Sequence, residues 1–500
     1  MPELCGITGF LGPGDRTLLK RMSKVILHRG PDESGIFLDK NIGLASRRLS
    51  IIDIKGGTQP IHNEDESMWI VYNGEVYNFQ KLRKELEKKG HRFYTNTDTE
   101  VILHLYEEMG ERCVTRLRGM FAFAIWDGKK LFLTRDRLGI KPLYYYHDGE
   151  IFLFGSEIKS ILQYPVSREV NLQSLYDYLS LRYIPRESSM FKNVKRLLPS
   201  HYLTIKDNKL KIKRYWELRG GNSTSNFERL ITESIEMRLI SDVPIGVFLS
   251  GGVDSSLITA IVASRMSTPV ETFSIGFGLD NDELPEARIV ADYLSTKHHE
   301  FVLDPKDALK LLPEIIWYMD EPLADVTNIP TYLISKKARR YVTVALTGEG
   351  GDELFSGYAH QKSIMITERY KNIISIFNKI GLTNIVKGLP VKILDKFFEY
   401  PSSMGELGRR KLFEYIHSRH DVKRSYFILS STFDNDEKSK LIKFNGKNTL
   451  RIFDPYFEEK YDVSKNMLMV DVKLWLPDYI LPRLDRMTMA NSIEGRVPYL

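Results

Sequence analysis

Residues 247–262 read VFLSGGVDSSLITAIV: an apolar run of strand length, a turn of glycines and hydroxyls, then a helical stretch. Such a turn aims backbone amides and a helix N-terminus at an anion. Ser250, Gly251, Gly252 and Ser255 would cradle phosphate oxygens, and Asp254 carries the charge needed to bind Mg²⁺ opposite them. The chain has no GxxxxGK[ST], so the loop is not that of a P-loop kinase or GTPase. The same strand-then-helix texture continues outward, with ETFSIGFG (271–278) followed by ELPEARIVADYLS (283–295). YVTVALT (341–347) then leads into a second Gly-rich loop, LTGEGGDELFSGY (346–358). Alternation of this kind predicts a doubly wound parallel sheet with its ligands at the carboxyl ends of the strands. The carboxylates of Glu349, Asp352 and Glu353 are expected near that crevice, where cations and amino groups bind.

Upstream the texture differs. FAFAIWD (121–127), KLFLTRD (130–136), PLYYY (142–146) and EIFLFGS (150–156) read as short strands, with DGKK and HDGE as turns between them. Helices are expected at QKLRKELEKKG (80–90) and from Thr97, where TDTE offers a capping box. Many strands with few helices predict a layered α+β domain. RGGNSTSN (219–226) is rich in Gly, Ser, Asn and Thr and is read as the linker, giving domains at 5–218 and 227–500. From about Lys362 to Lys465 the chain reads as a helical, Lys-rich scaffold.

The chain has 500 residues, and 71 Lys+Arg against 65 Asp+Glu leave a net charge of +6, too small an excess for a nucleic-acid signature. Hydrophobic content of 42% and charged content of 27% fit a globular protein with sizeable cores. The longest apolar run, MFAFAIW at 120–126, is far below the ~20 residues that span a bilayer, so no membrane role is expected. Two cysteines, Cys5 and Cys113, cannot form a disulfide framework, which favours a reducing, cytoplasmic setting. Adjacent His298 and His299 face opposite sides of a strand and cannot share one metal. Cys113, Trp475 and the RMTMA stretch read as packing.

Cys5 can do more than pack. If the four residues before it are lost, its own α-amine can accept the thiol proton, making a self-contained nucleophile and base. Attack on a carboxamide then needs an anchor for the substrate carboxylate, an anchor for its ammonium, and donors for the oxyanion. Arg48 in SRRLSIID can grip the carboxylate, Asp98 in TNTDTE the ammonium, and Asn73 with the Gly74 amide in YNGEVYN the oxyanion. Each also has a plainer reading: a hairpin turn for Asn73-Gly74, a helix cap for Asp98, a surface strand position for Arg48.

CGITGFLG (5–12), HRGPDESG (28–35), RRLSIID, YNGEVYN and TDTE, in this order, resemble the glutaminase domain of class II glutamine amidotransferases, which are N-terminal-nucleophile hydrolases. SGGVDSS, SIGFG, DEP (320–322), LTGEGGDELFSGY and LDRMTMANSIEGRVPYL (484–500) resemble the ATP-pyrophosphatase-type domain of glutamine-hydrolysing asparagine synthetases. The resemblance implies Cys5 as nucleophile, Arg48, Asn73, Glu75 and Asp98 around glutamine, and Asn73 with Gly74 as oxyanion hole. It implies an ATP site of Leu249, Ser250, Gly251, Gly252, Asp254, Ser255, Ile275, Thr347 and Gly348. Asp254 and Asp352 would hold Mg²⁺, and Glu349 would stand near the amino-acid substrate and the ammonia attack. The implied substrates are glutamine, aspartate and ATP; a homodimer stays open. Ammonia freed into water would be protonated, so an apolar passage between the halves is expected. A different acceptor, such as a cell-wall or polysaccharide carboxylate, and a noncatalytic scaffold are the rival readings; intact Cys5 and Asp254 argue against the scaffold. Two departures stand out. MPEL precedes Cys5, so a removed leader or a start at position 4 is expected, and the final motif reads as cut short at Leu500.

Overall fold

The computed structural model describes residues 3–51, 53, 56–219, 226–279, 282–372, 405–418, 421–444 and 446–500, without the side chains of 3–5, 50 and 405–407. The linker expected at 219–226 lies almost entirely outside these residues, as does part of the scaffold region. The described chain forms two compact units. One comprises Met1–Asn171, Arg186–Glu349 and Pro477–Leu500; the other comprises Leu172–Pro185 and Gly350–Leu476.

The first unit holds three sheets, two of them antiparallel with six strands each. In the first, Glu3–Leu11 lies between Ile42–Ser50 and Phe152–Gly155. In the second, Gly119–Trp126 lies between Trp69–Val76 and Leu131–Arg135. The FAFAIW run shows why they layer. Phe121, Phe123 and Ile125 project to one side, into a core shared with the helices Phe79–Glu87 and Asp98–Met109. Ala122 and Ala124 project to the other, against Ile7, Ile42 and Leu44 of the first sheet. Strand residues alternate faces, so large side chains fill the helix layer while small ones let the two sheets approach. Helix Arg16–Lys24 covers the outer face of the first sheet with Leu18, Leu19 and Met22. The result is helix, sheet, sheet, helix: the layered α+β fold expected for this half.

The third sheet is parallel, in the spatial order Lys297–Val302, Glu271–Gly276, Ile245–Phe248, Val344–Leu346, Glu494–Arg496. Strand order reverses at Ile245–Phe248, the first of the five in sequence, which makes its boundary with Val344–Leu346 a topological switch point. His298 bonds Thr272 Oγ1 at 2.9 Å while His299 bonds Glu271 at 2.5 Å, so the two do point apart. Cys113 is buried, and desolvation pushes its thiol well up.

The second unit is helical, and its helices include Leu172–Leu181, Ala359–Arg369 and Val422–Ser430. Asp471 opens a π-helical segment, Asp471–Ile480, and its carboxylate accepts from Gln361 and Tyr426. Burial pushes Asp471 up to about 7. The helix Leu172–Leu181 was not expected; it groups with the scaffold rather than with the strands that flank it in sequence.

Within the first unit, one buried ion network joins sequence stretches hundreds of residues apart. Arg29 donates to both oxygens of Asp485, at 2.8 and 3.1 Å, and to Glu157 at 3.1 Å. Asp320 accepts the Lys159 amide at 3.0 Å and pairs with Arg486 at 3.2 Å. Arg196 bridges Glu321 and Asp478, both at 2.7 Å. Desolvation opposes the charge on Asp485, yet Arg29 and Lys141 hold its carboxyl below the usual range. Glu157 is held low by His28 and Lys159 in the same way. Arg29→Met nearly keeps the volume but removes the two-bond partner of Asp485 and one of the cations on Glu157, so it is expected to destabilise the protein by ~3–5 kcal/mol in urea unfolding. The wild-type pairing contributes above the unfolded carboxylate range, about pH 4, and is lost as pH falls through the lower folded values. The deficit of the variant is therefore expected to narrow on acidification.

Candidate functional site

The amino-terminal site is built on paired strands. Cys5 sits opposite Arg48 in the register between Glu3–Leu11 and Ile42–Ser50, and Arg48 sits opposite Glu33 on the next strand. Arg48 is buried, donating to Glu33 at 2.8 Å and to the Asp53 carbonyl at 2.9 Å, so it is no surface strand residue. Asn73 and Gly74 lie inside the strand Trp69–Val76, opposite Ala122 and Phe121, rather than in a hairpin turn. Gly74 has φ +151°, and a Cβ there would collide with the Met120 carbonyl. Asn73 is fully buried, and neither Nδ2 nor Oδ1 has a hydrogen-bond partner. An orphaned buried amide costs about 1–3 kcal/mol, and here it leaves one buried donor without an acceptor.

Asp98 is the first residue of helix Asp98–Met109, whose cap is Thr97, so Asp98 is not the cap. The expected capping box is half formed: Thr97 accepts the Glu100 amide at 3.3 Å, while the Glu100 carboxylate turns to the Tyr94 and Thr95 amides. Asp98 Oδ2 accepts from Tyr72 Oη at 2.7 Å and from the Val76 amide at 2.8 Å. These bonds fix it to the strand that carries Asn73, Gly74 and Glu75. Burial pushes its carboxyl up to about 6, against the lowering effect of the Val76 and Tyr72 bonds. Glu75 is buried with Arg496 at 3.5 Å.

The second site lies at the switch point. Ser250 and Ser255 join hydroxyls at 3.0 Å, and the Gly252 amide donates to Ser250 Oγ at 3.2 Å. Gly251 has φ +83°, and a Cβ there would lie 2.5 Å from the Ala287 amide, so the turn requires glycine. Helix Val253–Arg265 has Gly252 at its N-cap, and Asp254 lies in its first turn. Gly348 brings the second loop against the first: a Cβ on it would stand 3.2 Å from Asp254 Cβ and 3.3 Å from the Ser255 amide. Leu249 is buried and donates to the Phe273 carbonyl, and Ile275 lies on the neighbouring strand. Thr347 is buried with an unpartnered Oγ1. Asp352 belongs to the second unit, exposed on the short helix Gly351–Phe355.

Residues 4–216 match the family model of the glutamine amidotransferase domain, and residues 226–500 match that of asparagine synthase. The chain is 36% identical to asparagine synthetase [glutamine-hydrolyzing] 1 of Bacillus subtilis, over 99% of this chain and 79% of that protein. It is 32% identical to the enzyme numbered 3 of the same organism, over 99% and 79%. The chain belongs to the glutamine-hydrolysing asparagine synthetase family. Among solved structures, a B. subtilis glutamine phosphoribosylpyrophosphate amidotransferase matches with TM-score 0.34 and 16% identity, over 69% of this chain and 75% of that one.

In this synthetase, sequence reading missed the partners that hold the site residues. Arg483 pairs with Glu349 and reaches Asp325 at 3.1 Å and Thr327 Oγ1 at 2.5 Å. Arg496, on the edge strand of the parallel sheet, pairs with Glu494 and reaches Glu75. The only signal was charges set into apolar stretches, as in YILPRLDRMTMA. Arg486, in a stretch read as packing, is buried as read, but inside the ion network.

With Asp98 read as the anchor for the glutamine ammonium, a carboxyl that burial pushes up to about 6 loses that attraction once protonated. The KM for glutamine is therefore expected to rise as pH falls through 6, with kcat little changed. Asp98→Asn is expected to raise that KM roughly 10–100-fold at pH 8, the loss of one charged hydrogen bond, and to flatten its pH profile. Steady-state kinetics from pH 5 to 9 reads both.

Proposed function

We propose that this chain makes asparagine from aspartate, using ammonia released from glutamine and the energy of ATP cleavage to AMP and pyrophosphate. The supporting observation is that both halves of the family lie in tandem on one chain, over 99% of its length in the first relative. In the first half, Cys5 as N-terminal residue attacks the side-chain amide carbon of glutamine. Arg48 holds the α-carboxylate, Asp98 holds the α-ammonium, and Glu75 contributes to the glutamine site. The orphaned Asn73 amide and the Gly74 N–H receive the oxyanion, ammonia leaves, and water then releases glutamate from the thioester.

In the second half, the loop of Ser250, Gly251, Gly252 and Ser255 binds the pyrophosphate portion of ATP, with Leu249, Ile275, Thr347 and Gly348 beside the adenosine. The β-carboxylate of aspartate attacks the α-phosphorus, pyrophosphate departs, and ammonia displaces AMP from the acyl-adenylate to give asparagine. Glu349, held by Arg483, stands toward the amino-acid substrate. A role as hard oxygen ligand for Mg²⁺ is assigned to Asp254, in the first turn of helix Val253–Arg265, and to Asp352. The ion, when bound, neutralises charge on the departing pyrophosphate.

Incubation with glutamine, MgATP and a panel of carboxylates is expected to yield AMP, pyrophosphate and an amide with aspartate; another preferred acceptor would replace this reading. Cys5→Ala is expected to abolish glutamine-dependent synthesis and keep synthesis from added ammonia; equal loss of both would refute separate sites. Asp254→Asn, which keeps shape and removes charge, is expected to cut pyrophosphate release by more than ~100-fold while glutaminase turnover survives. Near-normal release would make the loop structural.

A further inference from the structure

The helix Asp98–Met109 carries a second cluster, which neither half of the proposed reaction uses. His104 and Glu107 lie one turn apart on it, His91 sits in the connection from helix Phe79–Glu87, and Glu64 lies in the turn before strand Trp69–Val76. One ligand atom from each of the four falls within 4.8 Å of all the others. His104 Nδ1 is 2.7 Å from Glu107 Oε2 and 3.3 Å from Glu64 Oε2. His91 Nδ1 is 3.4 Å from Glu64 Oε1 and 3.8 Å from Glu107 Oε2. A tetrahedral ion with bonds of ~2.0–2.1 Å separates its ligand atoms by ~3.3 Å, inside this spread.

The surroundings are those of a built site. Both histidines turn Nδ1 inward and Nε2 outward to a carboxylate: His104 to Glu100 at 3.4 Å, His91 to Glu108 at 3.3 Å. Glu100 is itself fixed by the Tyr94 and Thr95 amides and by Thr95 Oγ1, at 2.9, 2.7 and 2.7 Å. Glu107 accepts from Asn63 Nδ2 at 2.8 Å on its other oxygen, and Glu64 accepts the Arg92 amide at 3.0 Å. Metal-bound histidines are oriented by such outer carboxylates, which fix the tautomer and raise ligand basicity. The His104 side chain is 0% exposed and that of Glu64 is 36% exposed, so the cluster is seated in the fold yet open on one side.

We propose that Glu64, His91, His104 and Glu107 form a binding site for one transition-metal ion, Zn²⁺ by its chemistry. Two imidazoles and two carboxylates suit a borderline ion at four-coordination, while Mg²⁺ and Ca²⁺ favour all-oxygen shells. All four positions come from the protein, which marks a closed, structural site. The ion would clamp the helix connection and the strand turn to the helix that begins at Asp98.

The test uses the full chain, freed of metal with chelator and dialysed. Titration with Zn²⁺ alone, read by calorimetry and by elemental analysis after desalting, is expected to give one ion per chain and a raised melting temperature. Co²⁺ is expected to give the intense visible bands of a four-coordinate ion. His91→Ala and Glu64→Gln are expected to weaken Zn²⁺ binding at least tenfold and remove the Co²⁺ bands, with unchanged circular dichroism. Stoichiometry well below one, or equal binding by wild type and both variants, would overturn the site and leave a proton-bridged ion-pair cluster. None of these readouts depends on glutaminase or synthetase activity, so a failed site and a failed functional reading are distinguishable.

Discussion

Arg29 is fully buried between Asp485 and Glu157, and much of the first unit depends on that arrangement. Taking a guanidinium and two carboxylates out of water costs several kcal/mol for each ion, recovered only when every charge meets its partner at bonding distance. The network tolerates little displacement. Its members come from HRGPDESG, from GSEIKS, from NVKRLLP, from DEP, from WLPDYI and from LPRLDRMT, so six stretches that carry no shared chemistry in sequence become one buried object. The antiparallel layers and the helix that precedes the last parallel strand are positioned against each other by charge as well as by apolar packing.

The two candidate sites hang from this frame in different ways. The first is made of strand interiors and a helix start, and its polar groups are buried: Asn73 without partners, Asp98 with a carboxyl displaced upward by desolvation. Such a site is destabilising until substrate fills it, and a well-packed double sheet offsets the cost. The second is made of loops at strand ends, where glycine is required by close approach. The edge strand Glu494–Arg496 meets both: its Arg496 reaches Glu75, and its carbonyl accepts the Thr347 amide at 2.9 Å.

The helix Asp98–Met109 illustrates how one element serves several ends. Its first residue faces the strand with the proposed oxyanion donors, its middle packs Val101, Ile102 and Leu105 into the core, and its last turns present His104 and Glu107 to the Glu64–His91 side. Helical periodicity separates these duties by direction. A restraint at the far end therefore bears on the position of Asp98.

The sequence determined the fold class of both halves, because short alternating strands in one and strand–helix alternation in the other are local patterns that burial must respect. It also pointed to the turn between strand Ile245–Phe248 and helix Val253–Arg265, since Ser-Gly-Gly-x-Asp-Ser shapes its backbone locally. Residues such as Asn73, Arg48 and Asp98 were legible as chemistry but not as environment: an Asn-Gly pair reads the same in a turn and in mid-strand. Only the tertiary structure decided that Asn73 is buried and unpartnered, that Thr97 rather than Asp98 caps the helix, and that Leu172–Leu181 joins the helical unit. It alone brought Arg29 to Asp485, Arg483 to Glu349, and Glu64 and His91 to His104. The reason is physical: these pairings are set by long-range burial of charge, and nothing in local spacing encodes which distant partner will share a desolvated site.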